Sequence, residues 1–151
     1  MTSQKCIRRS SCRLCSSTDL ELAITHAIKK GVKEVMVLSA LGGRWDHTLG
    51  TIMLLAPNRY ESARIRIIDS NQEISLVRAG GTYLINGTPG DTVSFIPVSD
   101  TVVGVNASGL EYKLDDHTLI FGETLSLSNK LVSRQAKIQI EKGLLICTVI
   151  R

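Results

Sequence analysis

The sequence predicts α/β plus all-β structure, with a partial parallel α/β (Rossmann-like) domain followed by an antiparallel β-sandwich. Between residues 18 and 71 helix and strand patterns alternate, which is typical of parallel α/β units. From residue 72 to residue 151 short β-type segments follow one another, separated by Gly, Asn, Asp and Pro, which favours a sandwich. We therefore expect a basic, poorly ordered start over residues 1–17, an α/β domain over 18–71 and a β-sandwich over 72–151.

The first helix is predicted to begin after Thr18. Thr18 is a good N-cap, and Glu21 three residues later completes a capping box. Gly31 supplies the end of the helix. The apolar residues between these two signals share one helical face, namely Leu20, Ala23, Ile24, Ala27 and Ile28.

A strand, a second helix and a second strand follow. The continuous apolar run over residues 35–38 is typical of a strand covered on both faces. Residues 47–56 favour a helix that Pro57 ends, and residues 64–69 favour a strand. Ligands of such sheets bind outside the carboxyl ends of the strands, so the loop after the first strand is the place to look for a site.

The second half contains eight candidate strands. Lys142-Gly143 separates the last two and is predicted to form a hairpin turn. The strands are expected at residues 73–78, 82–85, 92–97, 101–105, 109–114, 118–121, 135–141 and 144–150.

Composition excludes several classes of protein. Of the 151 residues 43% are hydrophobic and 21% charged, so the chain is not disordered. No apolar run approaches the roughly 20 residues that span a bilayer, and no signal segment is evident, so we expect a cytoplasmic protein without membrane contact. The net charge of +4 comes from residues 1–17, which hold four basic residues and no acidic one; the remainder is neutral, and nucleic-acid binding is not expected.

The cysteines are not expected to form a zinc site. Cys12 and Cys15 have C-x-x-C spacing, but no second pair and no nearby histidine completes four zinc ligands. Cys6 lies in the same stretch, and Cys147 lies in an apolar strand. Thiols of a cytoplasmic protein stay reduced, so disulfides are not expected.

The loop over residues 42–47, Gly-Gly-Arg-Trp-Asp-His, carries the chemistry of the first half. Its two glycines let the backbone approach a ligand, while Arg44 and the amides of the following helix favour an anion. Asp46 would repel that anion unless a cation such as Mg²⁺ lay between them. On the residues alone an equally open alternative is a tight Gly-Gly turn in which Asp46 caps the helix.

The polar and aromatic residues of the second half indicate a function less clearly than the loop over residues 42–47 does. The segment over residues 126–129, Ser-Leu-Ser-Asn, is able to hydrogen-bond a heterocycle, although composition favours an ordinary loop. Tyr112 is suited either to stacking on a flat ring or to filling the core. His117 is expected in a solvated turn and His26 on the polar face of its helix.

Taken in order along the chain, these motifs resemble the thiamine pyrophosphokinase family. The resemblance covers about nine-tenths of the chain, from Ser17 onward, and the Gly-Gly-Arg-x-Asp-His loop is its most specific element. The matching segments are Thr18-Asp19, residues 42–47, Ser94-Phe95-Ile96-Pro97, Gly104-Val105, residues 109–114, Ser128-Asn129 and Gly143-Leu144-Leu145.

The resemblance implies an enzyme that uses ATP and Mg²⁺. Such enzymes move the β,γ-pyrophosphoryl group of ATP onto the hydroxyethyl oxygen of thiamine, which gives thiamine diphosphate and AMP. By this resemblance Asp19 and Asp46 would serve the metal and nucleotide, and Gly42, Gly43 and Arg44 the phosphates. Asp46 and Arg44 would be the catalytic residues, since such transfer requires mainly positioning and neutralisation of anionic oxygens.

The resemblance also implies how thiamine binds. Family members are homodimers that hold thiamine in a cleft between subunits. Ser128 and Asn129 would contact thiamine, and Tyr112 stands where relatives place an aromatic ring near the pyrimidine.

One part of the family pattern is missing. Relatives carry further strands and helices before the Thr-Asp pair, including an acidic Asp-x-Asp-Ser segment, and residues 1–16 show no match to it. We therefore expect an N-terminally truncated member of the family. The alternatives are a catalytically inactive remnant that dimerises and binds thiamine only, and a ligand-binding β module unrelated to the family.

Overall fold

The structure is a computed structural model that describes residues 17–151. The expectations for the basic start and for Cys6, Cys12 and Cys15 concern residues that lie outside this range. No helix within the described range is both long and apolar enough to cross a membrane.

The first half alternates helix and strand, as predicted. Its elements are α1 (Asp19–Lys29), β1 (Glu34–Leu38), α2 (Trp45–Met53), a 3₁₀ turn (Asn58–Tyr60) and β2 (Arg64–Asp69). Strands β1 and β2 pair in parallel. The bounds of β2 match the prediction, whereas α2 begins and ends earlier than residues 47–56.

The N-cap predicted for α1 is confirmed. Thr18 Oγ1 accepts a hydrogen bond from Glu21 N at 3.2 Å. The second bond of a capping box is replaced, because the Glu21 carboxylate accepts from Arg59 Nη2 at 2.6 Å. On the apolar face Ile24 is buried, while Ala23 is exposed.

Strand β1 is covered on one face, so the prediction that both faces are covered is wrong within residues 17–151. Val37 is buried, but Met36 is 51% and Leu38 63% exposed. Alternate residues of a strand face opposite sides. The helices therefore cover one side of β1, and no described element covers the other.

The second half forms the predicted succession of strands. They lie in two sheets, a mixed sheet with the order β1-β2-β3-β10-β5-β8 and an antiparallel sheet with the order β4-β9-β6-β7. The strands are β3 (Gln72–Arg78), β4 (Tyr83–Asn86), β5 (Thr92–Pro97), β6 (Thr101–Ser108), β7 (Leu114–Ile120), β8 (Asn129–Lys130), β9 (Gln135–Gln139) and β10 (Leu144–Ile150).

Two sequence predictions in this half are wrong. Residues 109–113 form a loop instead of a strand, and β7 begins at Leu114. Lys142-Gly143 does not close a hairpin, because β9 belongs to the antiparallel sheet and β10 to the mixed sheet. Gly143 has φ 102°, and a Cβ there would meet the Thr101 carbonyl oxygen at 2.5 Å, so this crossing between sheets requires glycine.

The mixed sheet is the central layer of the molecule. One apolar cluster lies between it and the helices and includes Ile24, Val37 and Ile67, together with Ile146 from β10. A second cluster fills the space between the two sheets and includes the fully buried Phe95. Because β2 pairs with β3, this sheet runs without a break past residue 72. The fold class is the predicted one: helices and parallel strands joined to a sandwich.

Arg78 fastens the segment after α2 to β3. Its Nη2 donates to the carbonyl oxygens of Leu55, Ala56 and Pro57 at 3.1, 2.9 and 3.1 Å. Its Nη1 donates to Asn58 Oδ1 at 3.3 Å. Partial burial removes water from this guanidinium and lowers its pKa below the ordinary value. The carbonyl oxygens around it take the place of that water as hydrogen-bond acceptors.

We expect Arg78→Ala to lower the free energy of unfolding by about 2 kcal/mol, the range of bonds to a charged donor. Urea denaturation of Arg78→Ala beside the exposed Arg134→Ala checks this, and equal losses in both variants would contradict it.

Glu73 contributes stability that depends on pH. Burial acts to raise its pKa, but ion pairs with Arg151 at 2.8 Å and Arg66 at 3.4 Å outweigh burial and hold the pKa below 4.5. The stability from these pairs is therefore fully present at pH values above the ordinary pKa of 4.5. It is lost as the pH falls through the lower pKa of the folded protein.

We expect Glu73→Gln to be less stable than the parent at about pH 7, with a smaller gap at about pH 3 because the stability is lost as the pH falls through the folded pKa. Urea denaturation at both values measures the gap. Glu111→Gln, at an exposed position, is the control. A gap of the same size at both pH values would refute the ion-pair explanation.

Candidate active site

The candidate site is built on the loop between β1 and α2. Strands β1 and β2 are parallel and end together at Leu38 and Asp69. The loop leaves β1 at this edge, so it lies at the carboxyl ends of the parallel strands, where the sequence predicted a ligand site.

Hydrogen bonds to β2 hold the start of this loop. Ser39 has φ 51°, in the left-handed region, and its N–H donates to the Ile68 carbonyl oxygen at 3.0 Å. Two residues on, Leu41 N donates to Asp69 Oδ2 at 2.9 Å. The loop is thereby fixed to the end of β2 before it reaches its glycines.

The far end of the loop is held by α2. The Thr48 hydroxyl accepts from Gly42 N at 3.3 Å and donates to Gly42 O at 3.1 Å. Neither Gly42 nor Gly43 has a positive φ, and a Cβ at either position would meet no atom within 4 Å. The backbone here does not demand glycine, so the tight-turn alternative does not account for the pair. The open space beside the two residues fits close approach by a ligand.

Arg44 and Asp46 pair with each other. Arg44 Nη2 lies 2.6 Å from Asp46 Oδ2, and Nε lies 3.2 Å from Oδ1, with both side chains mostly exposed. The Arg44 guanidinium lowers the pKa of Asp46 below its ordinary value of 3.8. Asp46 is therefore a charged carboxylate at neutral pH. The alternative that it is the N-cap of α2 is wrong, since Arg44 is the N-cap residue and Asp46 lies inside the first turn of the helix.

Asp46 and Asp19 line the same groove, of about 560 Å³, formed by the start of α1 and one side of α2 from Asp46 to Leu54. These are the two carboxylates that the sequence predicted as metal ligands, and the fold brings them to one place from 27 residues apart. Thr18, His47 and Thr51 add polar atoms to the lining.

The donor set suits Mg²⁺ held jointly with phosphate oxygens. Within residues 17–151 no group of three His, Cys, Asp or Glu side chains converges on a common point. Mg²⁺ commonly takes only one or two carboxylates and completes its octahedron with water and substrate phosphates. Asp19 and Asp46 fit that pattern.

Two of the residues predicted to bind thiamine are in direct contact. Asn129 Oδ1 accepts from Tyr112 N at 3.0 Å, and Asn129 Nδ2 donates to Tyr112 O at 2.6 Å. Asn129 is 5% exposed, so its amide is used inside the protein. The Tyr112 side chain is 66% exposed, and the alternative that it fills the core is therefore wrong.

The segment before Asn129 contains one buried serine and one exposed serine. Ser126 is buried, and its hydroxyl donates to the Phe95 carbonyl oxygen at 2.7 Å. Ser128 is exposed in a left-handed conformation with φ 59°, and its N–H donates to Ser94 Oγ at 2.9 Å. Ser128 and the Tyr112 ring are thus the accessible groups of this region.

The nucleotide and thiamine candidates lie on opposite edges of the mixed sheet. The loop over residues 42–47 follows β1, the first strand, whereas Asn129 belongs to β8, the last. Five spacings separate these strands, so strands β1 and β8 are roughly 24 Å apart, since neighbouring strands lie about 4.8 Å apart.

The environments of Cys147, His26 and His117 do not indicate a catalytic role. Burial raises the pKa of Cys147 to about 12, with a contribution from Glu73, so this thiol is no nucleophile. His26 is exposed on α1 as predicted. His117 is exposed on β7, a strand and not a turn.

Sequence reasoning did not assign a role to Asp69 or Thr48, which hold the loop. A usable signal existed for Asp69, because polar residues at the carboxyl ends of parallel strands are common site residues. Thr48 directly follows the recognised motif and is hydrogen-bonded to its first glycine.

Comparisons with known proteins identify the family. The sequence profile "Thiamin pyrophosphokinase, catalytic domain" matches residues 7–67, and "Thiamin pyrophosphokinase, vitamin B1 binding domain" matches residues 71–145. The first match begins within residues 1–16, where the sequence analysis found no family motif.

Individual relatives carry the same name. The chain is 32% identical to the thiamine pyrophosphokinase of Bacillus subtilis over 85% of its own length and 60% of that protein. It is 27% identical to thiamine pyrophosphokinase 1 of rice (Oryza sativa subsp. japonica) over 74% of its length and 42% of that protein. A crystal structure of the Bacillus subtilis enzyme superimposes with a TM-score of 0.83 at 31% identity, covering 90% of this chain and 64% of the other. The chain thus spans less than two-thirds of each of these proteins.

Proposed function

This chain belongs to the thiamine pyrophosphokinase family, and we propose that it transfers the pyrophosphoryl group of ATP to thiamine, with thiamine diphosphate and AMP as products. The observation that carries the proposal is the groove that Asp19 and Asp46 both line, with Asp46 directly following the Gly-Gly-Arg-Trp sequence. We assign residues 18–71 to nucleotide binding and residues 72–151 to thiamine binding. Membership of the family excludes the unrelated β module.

In this proposal ATP lies with its phosphates against Arg44, Gly42 and Gly43. The open space beside the two glycines supports close approach of phosphate oxygens to the backbone. When bound, Mg²⁺ neutralises the charge on those oxygens, and Asp19 and Asp46 are the side chains that would hold it. Arg44 exchanges its pairing with Asp46 for a phosphate oxygen, because both groups are exposed and free to turn outward.

Thiamine is placed by the other half of the chain. The exposed Tyr112 ring stacks on the pyrimidine and Ser128 donates or accepts a hydrogen bond. The buried Asn129 amide fixes the Tyr112 backbone through two hydrogen bonds, so Asn129 acts by positioning this ring.

The active enzyme is a homodimer in this proposal. A separation of roughly 24 Å, estimated from the strand spacing, is too large for one chain to join both substrates. A second copy that sets its thiamine edge against the loop of the first would complete the site. Exposed apolar residues in the segment that precedes Ser128 support such a contact: Phe121 is 65%, Leu125 69% and Leu127 39% exposed. We propose the cytoplasm as its compartment, where ATP is available and thiols stay reduced.

Mass spectrometry of a reaction with purified chain, ATP, Mg²⁺ and thiamine tests the function. We expect thiamine diphosphate and AMP in equal amounts, because transfer of a pyrophosphoryl group leaves AMP and not ADP. Absence of both products at every Mg²⁺ concentration would overturn the proposal. If calorimetry still detected thiamine binding in that case, the chain would be the inactive remnant considered above.

A further inference from the structure

We propose that Asp69 is a positioning residue for the catalytic loop: its carboxylate sets where the loop over residues 42–47 presents Arg44 and Asp46 to the nucleotide. This inference rests on the proposed function and deepens it, since Asp69 was assigned no role by sequence reasoning. Asp69 itself touches the backbone of the loop and not the groove that Asp19 and Asp46 line.

Asp69 is anchored on a rigid element. It is the last residue of β2, which pairs with β1 on one side and with β3 on the other. Its backbone lies opposite Gln72 in the tight connection to β3. The carboxylate that accepts from Leu41 N at 2.9 Å therefore has a fixed origin, and a hydrogen bond to a charged acceptor is among the stronger ones.

Few other side-chain contacts fix the position of this loop. Between the two tethers at Leu41 and Thr48 its side chains are exposed, with Trp45 at 78%. Gly42 and Gly43 have no side chains to pack, and no atom lies within 4 Å of either Cβ position. Two side chains thus hold the segment, Asp69 from the sheet and Thr48 from α2, beside the backbone bonds of Ser39 to Ile68 and of Thr48 to Arg44.

Asp46 and Asp69 therefore have different roles. Asp46 serves the metal and nucleotide directly in the proposed function. Asp69 holds the backbone that precedes the glycines, so its loss shifts the whole phosphate-binding segment relative to α1 and Asp19. A displacement of about 1 Å at such a site is enough to weaken nucleotide binding strongly.

The test compares Asp69→Ala and the shorter Asp69→Ser, which cannot reach Leu41 N, with Asp69→Asn, whose side-chain oxygen can still accept. Asp115→Ala, at an exposed position on β7, is the matched control. Amide hydrogen exchange of the peptide spanning residues 41–48 is measured without substrate, and kcat and KM for ATP and for thiamine are measured separately.

We expect Asp69→Ala and Asp69→Ser to raise the exchange rate of this peptide about tenfold, the effect of losing one such hydrogen bond. KM for ATP rises by about tenfold or more while KM for thiamine stays within about twofold, because the thiamine residues lie at the other edge of the sheet. Asp69→Asn recovers most of both effects, and the control shows neither.

Unchanged exchange in folded Asp69→Ser would overturn the inference, and so would equal rises in KM for both substrates or failure of Asp69→Asn to recover either effect. If the parent chain itself shows no turnover, the proposed function fails. The exchange rates then still decide whether Asp69 holds the loop.

Discussion

Asp46→Asn is expected to lower the rate of thiamine diphosphate formation by a factor of about 10³ or more, the scale of losing a charged ligand from a metal-assisted transfer. The substitution keeps the shape of the side chain and removes its negative charge. It also leaves Arg44 without its partner 2.6 Å away. Loss of the negative charge weakens the hold on Mg²⁺, so the apparent affinity for Mg²⁺ falls with the rate.

The side chain of Asp46 is 65% exposed, so this loss cannot be attributed to unfolding. The melting temperature should match that of the parent. Asp115→Asn removes the same charge from an exposed residue of β7 and should leave the rate unchanged. Retention of one-tenth or more of the parent rate by Asp46→Asn would show that the carboxylate is not essential, and the metal assignment would be wrong.

Mixing two inactive variants is expected to restore about a quarter of the parent activity, the share of complete sites in a random mixture of dimers. One variant is Asp46→Asn, which lacks the nucleotide half. The other is the double variant Tyr112→Ala with Ser128→Ala, which lacks the exposed thiamine groups. In a mixed dimer one of the two composite sites takes its nucleotide half and its thiamine half from intact sequences.

The experiment follows from the position of the two regions on opposite edges of the mixed sheet. The variants are unfolded together in urea and refolded, and each alone is carried through the same steps. Recovery only in the mixture supports a site between subunits. If the mixture stays as inactive as its parts, both substrates are bound by one chain, and the separation of roughly 24 Å estimated from strand spacing must be closed by movement within it.

Local signals predicted much of this fold. Thr18 followed by Glu21 marked the start of α1, because capping depends on residues three positions apart. The strands at residues 64–69, 92–97 and 144–150 were predicted with the bounds they have. The segment over residues 42–47 was placed correctly after the carboxyl end of a parallel strand, although its last three residues form the first turn of α2.

Errors arose where a partner distant in sequence decides the structure. Residues 109–113 have a β-type pattern, yet the buried Asn129 takes up the Tyr112 backbone N–H and C=O and holds this segment as a loop. Lys142-Gly143 has the composition of a hairpin turn, but β9 and β10 join different sheets. The apolar run in β1 suggested two covered faces, although Met36 and Leu38 are exposed.

The sequence by itself determined the order of elements, the apolar faces that pack and the residue types gathered in the Gly-Gly-Arg-x-Asp-His loop, because these depend on periodicity and near neighbours. Only the tertiary structure decided that Asp19 and Asp46 share a groove, that Asp69 bonds to the loop, and that the residues proposed to bind nucleotide and thiamine lie at opposite edges of one sheet. Those relations join residues far apart in the chain, and strand order, which sets them, is fixed by the packing of the whole core.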